Sequence, residues 1–423
     1  MSDQTNTPYR SISLDSSFTK KNRNVHPIES QSYQVMEQIE SLNKIPLQDE
    51  RNVLTNSLSN LTLLSIDGGG VRGLIVLHCL AKWEQQYGFR TPDLFNCYSG
   101  TSIGAIIVCF FAYMNWSAQE VLDYFNEKQL LQKFLPKSLW DRIFGLFQWK
   151  PKYNDSQRLE ILSDIFGDKT LKETNNQVLI TGYDLVREKT VYFTSFGTGK
   201  HFNIVDTLLV SSSAPIYFSS VYIDKFYCEK QKIILHADSG HYEPSDKEQS
   251  GGGCCGLWGV DGGLTCNNPS DVMVLELLKM IPNDIKVISI GSGFTKETIN
   301  PSNTQDWGIF RWLFSGRLLQ KIANGSADIA QKRCHTILDI YHKTILKHKN
   351  IQKYYMRING EIQKDNWPLD NTCPRNLEAL QNYGEIWACN HDAEFCEILK
   401  ILKNQFQTSA PESRYPISQT TKS

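Results

Sequence analysis

Apolar positions in this chain fall into short unbroken runs separated by longer stretches of helical periodicity, and the alternation begins at Leu61. Ahead of it, residues 1–60 are rich in Ser, Asn, Gln and charge, and Val35, Met36, Ile39 and Leu42 form one sparse helical pattern within 31–44. That segment reads as a polar, flexible arm carrying one weak helix. LTLLSI at 61–66 has the pattern of a buried strand, stopped by Asp67 and three glycines. The next stretch places Leu74, Leu77, Leu80 and Ala81 on one helical face, with Gly88 to end it. A second strand is expected over 94–99, followed by Gly100 and an apolar helix. Further strands are expected at 177–183, 190–196 and 286–290, and further helices at 121–134, 156–166 and 269–280. Strands alternating with helices predict an α/β domain on a largely parallel sheet.

From 228 to 258 the texture changes. A short apolar piece, KIILHA, gives way to HYEPSDKEQSGGGCCGLWG, whose glycine run reads as a flexible loop inserted into the core. The chain divides on this reading into the arm (1–60), a core (61–293) with an insert near 228–258, a mostly helical part packing on the core (294–406) and a polar tail (407–423).

Composition narrows the class. A chain of 423 residues with 40% hydrophobic and 21% charged residues can bury a large core. A formal net charge of −1 supplies no global field for phosphate, so no nucleic-acid partner is expected. Eleven cysteines at irregular spacings make no disulfide framework, and Cys79, Cys97 and Cys109 sit among apolar residues, which suits a reducing compartment. The first residues hold no apolar leader. The longest apolar stretch, 103–116, is shorter than the ~20 residues that span a bilayer and suits a buried helix. Cytoplasmic placement is expected, with peripheral membrane contact and delivery into a host cell both compatible with these features.

Three motifs carry chemistry. Gly100-Thr101-Ser102-Ile103-Gly104 fits G-x-S-x-G between a strand and a helix, where a tight turn pushes a serine hydroxyl out of the backbone. Gly68, Gly69, Gly70, Arg72 and Gly73 follow the first strand, and a glycine run exposes main-chain N–H groups able to hold an oxyanion. Gly68, Gly70 and Gly73 also fit the dinucleotide fingerprint G-x-G-x-x-G, with Asp93 at the separation its acidic residue needs, though Asp93 follows Pro92 in an expected loop. Asp261-Gly262-Gly263 alone is an ordinary turn.

In this order and spacing, DGGGVRG (67–73), GTSIG (100–104) and DGG (261–263) resemble the patatin-like phospholipase family, with SSSAPIYF (211–218) and GGLTCNNP (262–269) as accessory segments. The likeness covers roughly Leu61 to Gly293. It implies a three-layer α/β/α fold with a central, mostly parallel sheet and a nucleophile elbow. It further implies a lipid acyl hydrolase of phospholipase A or lysophospholipase type, needing no cofactor or metal and taking phospholipid or another lipid ester as substrate, with room for a protein activator. Carried over by position, Ser102 is the nucleophile and Asp261 its base, working without histidine. Gly69 and Gly70 supply the oxyanion hole, and Arg72 adds positive charge. Two departures stand out: the long Gly/Cys-rich insert ahead of Asp261, and Ala105 where the family often has Gly.

Other features have weaker meaning. Trp307, Phe310, Trp312 and Phe314, with Arg311, Arg317 and Lys321, fit either a membrane-interface segment or a helix over the site. Cys254-Cys255 lacks a second Cys/His pair at zinc spacing, and the nearby His236 and His241 do not complete one. His335, His342 and His348 read as helix-face residues. The rival enzyme reading is a Ser–His–Asp hydrolase using His335 or His391; the rivals outside enzymology are an idle lipid- or protein-binding scaffold and a nucleotide-binding module.

Overall fold

The computed structural model describes residues 60–135, 151–223, 257–280, 282–296, 317–345 and 354–409. The expected arm helix, most of the insert with Cys254, Cys255, His236 and His241, the aromatic stretch 307–314, His348 and nearly all of the tail lie outside them. Strands β1 (Leu61–Ile66), β2 (Cys97–Gly100), β3 (Gln177–Asp184), β4 (Lys189–Thr194), β5 (Val221–Ile223), β6 (Leu257–Asp261), β7 (Ile285–Ile290) and β8 (Tyr355–Ile358) form one sheet. The helices are α1 (Gly73–Tyr87), α2 (Thr91–Leu94), α3 (Ile103–Met114), α4 (Ala118–Glu127), α5 (Leu130–Phe134), α6 (Ser156–Phe166), α7 (Ile204–Ser211), α8 (Ser270–Leu278), α9 (Arg317–Ile340), α10 (Pro374–Asn390) and α11 (Asp392–Ser409).

The strand order is β5-β6-β3-β2-β1-β7-β8, with β4 also on β3. The run β3-β2-β1-β7-β8 is parallel, while β4 and β6 join β3 antiparallel. Side chains alternate across a strand, so each buried strand feeds two cores. Leu61 and Leu63 of β1, Cys97 of β2, Leu179 of β3 and Ile285 and Val287 of β7 pack with Met273, Val274 and Leu277 of α8 and Cys334 and Leu338 of α9. Leu64, Ile66, Tyr98, Val178, Ile180, Ile288 and Ile290 point the other way, into the larger core built by α1, α3, α7 and α10. The three-layer α/β/α class follows from this split.

The register of β3 matters most for the site. From Leu179 to Asp184 one edge is taken by β4. The other edge is shared: β2 pairs at Cys97–Gly100 with Gln177–Ile180, and β6 pairs at Gly259–Asp261 with Asp184–Gly182. Because β2 runs parallel and β6 antiparallel to β3, the two strands meet with their carboxyl ends together. Gly100 lies beside Ile180 and Asp261 beside Gly182, two residues on, roughly 7 Å along the strand.

Local boundaries depart from the sequence pattern in identifiable ways. The helix expected over 121–134 breaks into α4 and α5, because Gln129 adopts φ 50 after α4 ends. The strand expected over 190–196 stops at Thr194, where the chain turns and the Ser195 hydroxyl donates to the Asn176 carbonyl. Residues 91–94 coil into α2 ahead of β2, and Leu257 and Trp258, expected at the end of the insert, open β6. The apolar stretch after Ser102 is α3, buried from Ile103 to Ala112. Among the described residues no single helix is long and apolar enough to cross a membrane.

The carboxyl-terminal helices dock through aromatic packing. Phe395 of α11 stacks on Trp83 of α1 at 3.8 Å between centroids with parallel planes, and the Trp83 indole N–H donates to the Ala388 carbonyl at 3.2 Å. Phe395→Ala should therefore destabilise the protein by about 3–4 kcal/mol in equilibrium denaturation, the cost of an unfilled cavity beside a large buried ring; a loss below about 1 kcal/mol would show that α11 contributes little.

Candidate active site

At the end of β2 the chain turns sharply into α3, and Ser102 sits at the turn with φ 56 and ψ −124. A β-carbon-bearing residue held there stores strain that the surroundings must offset. Its N–H donates to the Ser211 hydroxyl at 3.0 Å, and its carbonyl accepts from Ala105 at 3.0 Å and Ile106 at 3.2 Å. The flanking glycines are required by closeness. A side chain at Gly104 would run into the Ile66 carbonyl, and one at Gly100 would lie 2.6 Å from the Ala105 backbone. Ala105 itself is accommodated, fully buried. The amino-terminal dipole of α3 adds positive potential beside the serine.

Asp261 closes β6 and continues into a short 3-10 turn, Gly262–Leu264. Its own N–H donates to the Ser213 carbonyl at 3.0 Å, its carboxylate accepts from Gly263 N–H at 2.7 Å, and the Ser102 hydroxyl stands near enough to favour the charged carboxylate. Burial pushes this carboxyl up to about 6; the Gly263 N–H, the Ser102 hydroxyl and the charge of Arg158 pull the other way. Gly262 lies against Thr181 of β3 too closely for a side chain. The Thr101 and Thr181 hydroxyls bond each other at 2.7 Å beneath the pair, and Thr101 also donates to the Cys266 carbonyl at 2.9 Å.

The glycine loop after β1 abuts the serine: a side chain at Gly68 would come within 3.3 Å of the Ser102 β-carbon. Its carbonyls are pinned. Gly68 O accepts from the Ser292 hydroxyl at 2.7 Å and from Asn267 Nδ2 at 3.4 Å. Gly69 O accepts from the main-chain N–H of Arg72 at 3.2 Å and from its Nε at 3.1 Å. A trans peptide points its N–H opposite its carbonyl. Fixing these two carbonyls therefore fixes the N–H groups of Gly69 and Gly70, which donate to no group among the described residues. Gly70 has φ 56 and lies against the Leu369 carbonyl, so an L side chain is excluded on both counts. Gly73 packs on Ile103 at the start of α1.

Arg72 is buried, with its guanidinium bonded to Gly69 O and Gly293 O and lying 3.7 Å from the Trp367 ring centroid. Burial lowers it to about 9, against the charges of Tyr217 and Asp67. Its geometry is that of a strut holding the loop. Asp67, at the head of the loop, forms a buried bidentate ion pair with Arg357 of β8 at 2.7 and 2.6 Å.

Ser211 and Ser213 lie in the accessory segment SSSAPIYF and Asn267 in GGLTCNNP, whose roles were not legible from sequence; Ser292 carries no motif, and Arg158 stands in an ordinary amphipathic helix. Arg357 had a local signal, an isolated charge within the apolar run YMRI. The histidines are placed elsewhere: the His335 ring packs on Tyr355, His391 Nδ1 meets the Trp387 carbonyl at 3.0 Å, and His342 is buried against Tyr354. Asp93 lies in α2 and not at the end of a strand, so the dinucleotide fingerprint lacks its acidic residue. Among the described residues no group of three His, Cys, Asp or Glu side chains is arranged to hold a metal.

Set beside known proteins, this three-layer α/β/α chain falls in the class of lipid acyl hydrolases by its family match. Residues 64–274 match the family model of patatin-like phospholipases. Patatin-like protein 3 of Arabidopsis thaliana is 25% identical over 371 residues, covering 77% of this chain and 80% of that protein. Patatin-like protein 1 of the same plant is 25% identical over 384 residues, covering 81% and 84%. VipD from Legionella pneumophila superposes with a TM-score of 0.38 at 12% identity, covering 82% of this chain and 67% of that one, a likeness too slight to carry function across. The chain belongs to the patatin-like phospholipase family, through the domain at 64–274.

Two stability measurements follow from the site. Arg357→Met leaves the Asp67 carboxylate buried and unpaired and should cost about 3–5 kcal/mol, whereas Asp67→Asn with Arg357→Met should recover most of it; additive losses in urea denaturation would dismiss the pairing. The Asp261 carboxyl stands above its ordinary 3.8 in the folded protein, so the native state binds that proton more tightly. Its ionisation cost is absent below the ordinary value and fully felt above about 6. Asp261→Asn should accordingly gain roughly 1–3 kcal/mol at pH 8, with the gain vanishing toward pH 4; a gain independent of pH would assign it to another cause.

Proposed function

We propose that this protein cleaves carboxylic ester bonds in phospholipids or lysophospholipids through a Ser102–Asp261 dyad. The observation that carries the reading is a buried Asp261 carboxylate whose proton affinity burial has raised, set beside the strained Ser102 turn with the Ser102 hydroxyl near enough to favour its charged form. A carboxylate at its ordinary value of 3.8 is a poor base for a hydroxyl, and one raised toward neutrality is better matched to the transfer. On this mechanism Ser102 Oγ attacks the ester carbonyl as its proton passes to Asp261. The Gly69 and Gly70 N–H groups receive the developing oxyanion, with Arg72 and Ser292 holding the loop so that no reorganisation is needed as charge appears. Protonated Asp261 then returns the proton to the leaving alkoxide, and an acyl-enzyme on Ser102 remains. Water attacks that acyl group with Asp261 again as base, releasing the fatty acid and restoring the serine.

The Ser–His–Asp alternative is disfavoured by the partners of Asp261, which are Gly263 N–H, the Ser102 hydroxyl and the charge of Arg158. An idle scaffold would have no use for a strained serine against a buried carboxylate, since both cost stability.

A fluorophosphonate probe should label the wild type and fail to label Ser102→Ala, and product analysis on a mixed lipid panel should show released fatty acid that disappears with the same variant. Asp261→Asn should lower kcat by about 10²–10⁴-fold while the protein stays folded. The wild-type kcat/KM should fall as pH drops through about 6, because protonated Asp261 cannot accept from Ser102. Retained turnover in Asp261→Asn, lost instead in His335→Ala or His391→Ala, would replace the dyad with a triad.

A further inference from the structure

Behind the candidate dyad lies a buried cation that the reaction scheme does not use. Arg158 of α6 is 2% exposed, and its guanidinium is almost fully engaged. One terminal nitrogen donates to the Ser212 carbonyl at 2.6 Å and the Ser212 hydroxyl at 3.2 Å; the other donates to Asp155 at 2.6 Å and the Ser213 hydroxyl at 2.9 Å. The plane lies 3.9 Å from the Phe218 ring centroid. The segment it grips is the one that holds both halves of the dyad. Ser211 Oγ accepts the N–H of Ser102, and Ser213 O accepts the N–H of Asp261.

Resting on the Ser102–Asp261 reading, we infer that Arg158 is the positioning residue of the dyad, locking 211–213 from behind and keeping its buried positive charge within electrostatic reach of the Asp261 carboxylate. A lysine could supply charge but not a planar fork reaching Ser212 and Ser213 together. Several charged groups on the surrounding elements have partners of their own, while Asp206 of α7 has its proton affinity raised by burial. Asp184 at the end of β3 pairs with Arg187 at 2.9 Å, and Asp67 beside β1 pairs with Arg357 while Arg72 braces the glycine loop. Asp155 is the counter-charge of Arg158 itself. Among the described residues the charge of Arg158 reaches Asp261, and it opposes the effect of burial there.

The two roles separate experimentally. With a soluble short-chain ester, kcat/KM is measured against pH for wild type, Arg158→Gln, Arg158→Lys and Ser213→Ala, each checked for native circular dichroism. Arg158→Gln removes the charge, so the acid limb should move up by about one pH unit or more. Arg158→Lys keeps the charge and should leave that limb within about 0.3 unit of wild type while lowering kcat about tenfold through the lost fork. Ser213→Ala loosens the clamp alone and should lower kcat about three- to tenfold with the limb unmoved. An unmoved limb in Arg158→Gln, or a Lys variant shifted as far as Gln, overturns the charge role; unchanged kcat in Ser213→Ala and Arg158→Lys overturns the clamp. If neither Arg158 variant folds, Ser213→Ala decides by its rate of fluorophosphonate labelling: slowing supports the clamp, and a wild-type rate overturns it. Failure of the dyad itself shows up differently, as wild-type turnover and an unchanged acid limb in Asp261→Asn.

Discussion

The structure depends on how two strands share one edge of β3. The parallel strand β2 covers the first half of that edge and ends at Gly100, and the antiparallel strand β6 covers the second half and ends at Asp261. Their carboxyl ends meet head to head, and each must leave the sheet at once because the other blocks its path. One leaves through the Ser102 turn into α3 and the other through the Gly262–Leu264 turn, so serine and carboxylate are brought together by strand register. Thr101 and Thr181, bonded to each other below the junction, tie the ends to the strand they share. A one-residue slip of β6 would turn Asp261 to the other face of the sheet.

Around this junction polar groups are held by other polar groups in low dielectric, where such bonds are strong and unmade ones are costly. The Gly68 carbonyl takes donors from distant places, Asn267 after β6 and Ser292 after β7, and the Gly69 carbonyl takes one from Arg72 in the loop itself. The loop is anchored at its head by Arg357 of β8 and abutted at Gly70 by Leu369. Residues beyond the 64–274 match thus complete the setting of motifs within it. The N–H groups that remain free are oriented because everything around them is not.

Electrostatic balance at Asp261 joins these themes. Burial raises its proton affinity, and a hydroxyl, a main-chain N–H and a buried guanidinium restrain the rise. A carboxylate left entirely to burial would hold its proton at neutral pH and could accept none; one fully paired would be too weak a base. The value of about 6 lies between those limits.

How much of this was legible in the chain differs by level. The α/β class could be read from period alone, because buried parallel strands and the helices between them repeat apolar patterns with different spacing. Ser102, Asp261 and the glycine loop could be read because their backbone demands admit few residue types: glycine where carbonyls approach or φ is positive, serine at the turn. The supporting residues could not. Arg158 and Ser292 occupy ordinary backbone conformations that many residues satisfy, so nothing local marks them; Ser213 and Arg357 stand out locally, in SSSAPIYF and as a charge within YMRI, but nothing local says what they hold. Their roles arise from distances between segments far apart in sequence, such as 290 positions between Asp67 and Arg357. Likewise β6 was not legible as a strand: Leu257 and Trp258 fell in an apparent insert, and Gly259–Asp261 reveal themselves as strand only through the edge of β3 they complete. Sequence by itself marked the candidate groups, because their constraints are local; tertiary structure decided what holds and tunes them, because those constraints are pairwise and long-range.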